Sequence, residues 1–125
     1  MRVPAKRGNA TRVELRSPDP SCNPYLAFAG ILEAALDGVK NNIEPPAPVE
    51  SNIYRLTTKE REKQKIDALP GSLAEALEAL DKSSVAKTAL GEHIYTEFMM
   101  AKKKEWSSFR SYVTKWEIDR YLERY

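Results

Sequence analysis

Residues 2–25 read RVPAKRGNATRVELRSPDPSCNPY, and the fold turns on the reading of this stretch. Its centre, Thr11–Arg16, alternates as a strand does. Thr11, Val13 and Leu15 then point one way and Arg12, Glu14 and Arg16 the other. The first set can sit on a core. The second lines up cation, carboxylate and cation. Two guanidinium groups hold a carboxylate between them ionised, ready for a hard divalent metal. The arginines themselves are planar forks suited to carboxylate or phosphate. Alternating charge of this kind also belongs on a solvated edge strand, where it discourages aggregation. Arg2–Lys6 is a second strand candidate, joined to the first by Arg7-Gly8-Asn9-Ala10, in which Gly8-Asn9 suits a turn. The expectation is a short N-terminal hairpin that needs neighbours, because a lone hairpin is marginal in water.

Outward from this stretch the pattern becomes helical. Asn23-Pro24 reads as an N-cap followed by a first-turn proline. The helix it opens, about Pro24 to Val39, is apolar nearly all round, which marks a buried core helix with Leu32 inside it. Pro45, Pro46 and Pro48 favour an extended connector. Thr57–Lys65 is a short charged helix with a solvated face. Ser72 and Glu75 form a capping box, opening a helix with Leu73, Ala76, Leu77 and Leu80 on one face. A short helix carries Val85 and Leu90. The long stretch Gly91–Tyr112 carries an apolar stripe of Ile94, Phe98, Ala101, Trp106 and Phe109, flanked by Met99 and Met100. Thr114 and Glu117 form another capping box before a final helix with Trp116, Ile118, Tyr121, Leu122 and Tyr125. So dense an apolar chain end implies docking, on this domain or on another subunit. The fold class expected is α+β and mainly helical: an N-terminal hairpin followed by about five helices. Residues 1–125 are enough for one domain, with a strand pair expected over 1–16 and a helical region over 17–125.

Composition narrows the function. The chain has 125 residues and a net charge of +2. Residues 1–16 carry five cations against one carboxylate, and the rest carry 15 Lys and Arg against 17 Asp and Glu. The cationic excess therefore sits in the N-terminal stretch and implies an anionic ligand there, or a nucleic-acid arm. No aromatic residue precedes Tyr25, so these cations have no stacking platform, which favours a compact phosphate or carboxylate ligand. No apolar run approaches the ~20 residues of a membrane span. With no secretory signal and a single Cys22, the expected location is cytoplasmic. A chain of this size is expected to bury roughly two-thirds of the surface that its unfolded form exposes. His93, the one histidine, lacks a second histidine or a cysteine pair and reads as structural or surface.

The motifs together resemble the C-terminal part of the catalytic domain of type I glutamine synthetase. They are Arg2-Val3-Pro4, then Arg12-Val13-Glu14-Leu15-Arg16, then Ser17-Pro18-Asp19-Pro20-Ser21-Cys22-Asn23-Pro24-Tyr25-Leu26. Leu36–Asn41, Pro46-Ala47-Pro48, Asn52-Ile53-Tyr54, Leu69–Leu73 and Ala89–His93 continue the match, so the likeness covers essentially the whole chain. The resemblance implies ATP-dependent ligation of ammonia to L-glutamate through γ-glutamyl phosphate. It matches Glu14 to a ligand of Mg²⁺ or Mn²⁺, Arg16 to an arginine that binds glutamate, and Arg2 and Arg12 to arginines on the ATP side. It implies a cytoplasmic homo-oligomer, a dodecamer in the full enzyme, with no membrane or nucleic-acid partner. It also implies that the remaining metal ligands and the ammonia-site carboxylate lie in upstream sequence, so that this chain alone is inactive. Tyr54 stands where some members are adenylylated. Asn42, Glu50 and Ser51 depart from that pattern, and a structural tyrosine in a surface loop is the better reading. The reading from another class is a non-catalytic helical interaction module with a basic N-terminal arm.

Overall fold

The computed structural model describes residues 1–122; the expectation for Tyr125 lies outside them. The element order is α1 (Pro24–Lys40), α2 (Thr58–Lys63), α3 (Leu73–Lys82), α4 (Ser84–Arg110) and α5 (Lys115–Tyr121), with one-turn 3-10 helices at Gly8–Ala10 and Ile53–Arg55. The caps form largely as their residue types dictate. The Asn23 side chain accepts from the Tyr25 and Leu26 amides, and Pro24 occupies the first turn of α1. Thr57 with Glu60 and Thr114 with Glu117 make complete capping boxes. Ser72 accepts from the Glu75 amide, but the Glu75 carboxylate reaches past the cap to the Gly71 amide, at 2.9 Å.

The mainly helical reading holds, whereas the N-terminal hairpin does not form: among the described residues there is no β-strand. One antiparallel bridge remains, Arg2 to Glu14. Its two amides and two carbonyls exchange hydrogen bonds of 2.9 and 2.8 Å. The next hydrogen-bonded rung would pair Pro4 with Arg12. Proline has no amide proton to give it, and the Pro4 carbonyl accepts instead from the Arg7 guanidinium. In the other direction, among the described residues nothing pairs with Arg16. Gly8 takes a φ of +75° and closes the connecting turn. Val13 and Leu15, expected on a core, are exposed.

Both α1 and α3 pack against α4. The core lies between α3 and α4, at Leu77 and Met99, 6% and 5% exposed. Leu73, Ala76, Leu77 and Leu80 do face inward as their spacing requires. On α4 the inward line runs through Tyr95, Phe98, Met99, Lys102 and Trp106, while Ile94 and Phe109 point out. The expected stripe is thus rotated, with Met99 at its centre. Gly91 breaks α4 with φ 70° and ψ 160°, a conformation essentially reserved for glycine, and so separates residues 84–90 from residues 92–110.

The core-helix reading of α1 is overturned. None of its residues is fully buried, and Leu32 is 62% exposed. Leu26, Ala27 and Gly30 face α4 across a cavity of about 630 Å³ that Ala89 and Phe98 also line. Tyr25, Phe28, Leu32, Leu36 and Val39 face away. The total accessible surface is 11304 Å². An unfolded chain of 14.2 kDa exposes about 20,600 Å², so folding removes about 45% of it and not two-thirds.

Candidate functional site: a carboxylate held by three arginines

The single bridge is enough to assemble a charge cluster. Residues of one strand-like segment two apart share a face, and a bridged pair stands side by side. Arg12, Glu14 and Arg16 therefore line up, and Arg2 arrives from across the bridge. Arg12 Nη2 donates to Glu14 Oε1 at 2.8 Å. Arg16 Nη2 and Arg2 Nη1 donate to Oε2 at 3.0 and 3.1 Å. Glu14 is the least exposed of the four side chains, at 20%. The Arg16 hydrogen bond holds its carboxyl below the usual carboxylate value, with Arg12 and Arg2 adding to the effect and partial desolvation opposing it.

The sequence places Arg12 and Arg16 around Glu14; the third guanidinium, Arg2, comes only from the register of the bridge. A register argument from Pro4 and the Gly8 turn is the signal that would have found it. The backbone edge beside the cluster is open, because Val13, Leu15 and Arg16 have no partner strand among the described residues.

Three cations around one carboxylate leave a net charge of +2, so the cluster attracts anions. Guanidinium forks bind carboxylate and phosphate oxygens in pairs. A divalent cation fits less well. Hard cations want several oxygen ligands, whereas Glu14 is a single carboxylate that already accepts three guanidinium hydrogen bonds. Among the described residues no group of three His, Cys, Asp or Glu converges to hold a metal. These residues by themselves do not fit the ion.

The other residues singled out lie apart. Tyr54 is 96% exposed on the 3-10 turn, where Asn52 caps its amide. His93 is exposed on α4. Asp19 is tied locally to Ser21, whose amide and hydroxyl both donate to it, and its carboxyl is lowered by these bonds. Among the described residues, no helix is long and apolar enough to cross a membrane.

Comparison with known proteins agrees with the motif resemblance. The family model for the glutamine synthetase catalytic domain matches residues 1–121. A glutamine synthetase of Thermotoga maritima is 60% identical over 122 residues, which cover 98% of this chain and 28% of that protein. A glutamine synthetase of Thermus thermophilus is 55% identical over 125 residues, all of this chain and 28% of that protein. One from Clostridium saccharobutylicum is 50% identical over the same span. The chain thus spans little more than a quarter of the length of the curated relatives it matches. A family model that covers nearly every residue, with identities of this size, establishes that the chain belongs to the family of the glutamine synthetase catalytic domain.

Proposed function

We propose that the chain is part of a glutamine synthetase, in which ATP drives the joining of ammonia to L-glutamate through γ-glutamyl phosphate. Family membership supports this reading, and the convergence of Arg2, Arg12 and Arg16 on Glu14 carries it. Phosphoryl transfer is catalysed mainly by positioning and by neutralising charge on the transferred group. Arg2 and Arg12 serve the ATP side by attracting phosphate oxygens. Arg16 holds the carboxylate of glutamate as a fork. Glu14 keeps the three guanidinium groups, which repel one another, in one place.

Glu14 is also proposed as one ligand to Mg²⁺ or Mn²⁺. That role uses the lone pair that Oε1 keeps after accepting from Arg12 and requires further carboxylates from outside this chain. The bound metal would supply charge neutralisation at the phosphates. The proposed working form is a cytoplasmic homo-oligomer, a dodecamer, with Tyr54 at most a surface site for modification. The cluster is only part of an active site, and the chain alone is proposed to be inactive.

The test is a graft. Residues 1–122 replace the corresponding stretch of the Thermotoga maritima relative, and glutamine formation from ATP, glutamate and ammonia is measured. The graft should be active. Arg16→Lys should raise KM for glutamate at least tenfold, because a point charge replaces a bidentate fork. A folded, assembled graft without activity, or an Arg16→Lys graft with unchanged KM, refutes the reading. So does turnover by the 125-residue chain alone.

A further inference from the structure

Ser84–Arg110 is one helix in two arms. Residues 84–90 and 92–110 are both helical, and Gly91 between them stands at φ 70° and ψ 160°. A bend of this kind ordinarily has an identifiable local cause. Here nothing lies within 4 Å of where a Cβ on Gly91 would stand, so crowding at the glycine does not impose it. Glycine is equally free to take helical angles, and the two arms would then join as one straight helix. What selects the bent form has to act from elsewhere in the chain.

The long arm runs back along α3. Tyr95, one turn past Gly91, meets Asp81, and Met99, one turn further, is buried beside Leu77. α1 also faces both arms, at Ala89 and Phe98, but across the cavity of about 630 Å³. Apolar packing is non-directional, whereas a hydrogen bond fixes a distance and an angle. The Tyr95 hydroxyl donates to Asp81 Oδ1 at 2.5 Å, and among the described residues this is the one side-chain hydrogen bond that joins α4 to another helix. Lys87 on the short arm places its Nζ 5.5 Å from the centroid of the Tyr95 ring, a cation–π contact made across the bend. In an unbroken helix the two residues stand about 12 Å apart along the axis. Tyr95 thus ties α3, the short arm and the long arm together. The bond lowers the Asp81 carboxyl, with desolvation opposing and Lys87, Lys103 and Lys82 adding to the effect, and it raises the Tyr95 phenol. We propose that Asp81 and Tyr95 form a clasp that selects the bent form of α4: closed, it lays the long arm on α3; open, it lets Gly91 return to helical angles and the long arm leave α3. Every contact it uses lies within this chain, and it does not rest on the proposed catalytic role.

Spin-label distances in the purified 125-residue chain test it. The labels go on Ala79→Cys in α3 and Met100→Cys in the long arm, both exposed positions, in a Cys22→Ser background. The intact clasp should give one main distance. Tyr95→Phe keeps the ring beside Lys87 and removes only the hydroxyl; it should raise the population of a longer distance about fivefold, with helical circular dichroism kept. Asp81→Ala should do the same, and the two substitutions together should do no more than either alone, because they break one bond. In carbon NMR the Tyr95 phenol should titrate above its ordinary value of 10.0 and move back toward it in Asp81→Ala. An unchanged distance in Tyr95→Phe, or a loss of helicity in place of a longer distance, overturns the proposal. So do additive effects in the double variant, or a Tyr95 titration indifferent to Asp81→Ala.

Discussion

If the chain's stability is lodged in the α3–α4 seam, Leu77→Ala should be far more costly than truncation of other apolar positions. Leu77 is 6% exposed and packs beside Met99, so the substitution removes three buried carbon groups. At about 0.8 kcal/mol each, the transfer loss is about 2.4 kcal/mol. A sealed void would add to this, up to about 5 kcal/mol in total. Here the side chain already borders an open cleft of about 230 Å³ lined by Met99 and Trp106, into which water can move. The void term is therefore small, and the expected loss is about 2.5 kcal/mol. Urea unfolding monitored by helical circular dichroism reads this directly. With a slope of about 2 kcal/mol/M, the midpoint should fall by about 1.2 M with the slope unchanged. Val13→Ala is the control. Its side chain is exposed, and its cost should stay within about 0.5 kcal/mol. Both are compared at one protein concentration, since association adds to apparent stability. A loss under about 0.5 kcal/mol for Leu77→Ala, or equal losses for both variants, would refute this placement of the core.

Glu14 has its folded-state pKa lowered, so its ion pairs contribute above the ordinary value of 4.5 and are lost as pH falls through the lowered one. Carboxyl NMR should place the Glu14 midpoint below 4.5, and Arg16→Ala should move it up; an unchanged midpoint in that variant would mean that Arg16 does not hold the carboxylate. Gly91→Ala meets open space but a φ of +70°, so it should destabilise by about 1–3 kcal/mol through backbone strain alone, read as a lower thermal midpoint, and a neutral result would mean that α4 runs unbroken there.

Much of the helical region is legible in the sequence because capping and stripe chemistry are local. Asn23-Pro24, Thr57, Ser72 and Thr114 start helices where their side chains can take up amide protons. The facing of Leu73, Ala76, Leu77 and Leu80 comes from period alone. The hairpin fails for a reason that has a local signal. Pro4 forbids its second rung, whereas the face that α4 turns inward, with Met99 buried and Ile94 and Phe109 out, is set by its packing against α3 and has no local signal.

The face that α1 presents is not legible. A helix apolar nearly all round gives no preferred side, and composition does not say how much of the chain is on hand to cover it. By itself the sequence determined family, helix starts and the alternation that sets Arg12 and Arg16 beside Glu14, since these depend on residues near one another in the chain. Only the tertiary structure decided that Arg2 joins them and that Leu32 looks outward. Both depend on which distant backbone stands opposite, through one bridge at Glu14 and one packing seam on α4.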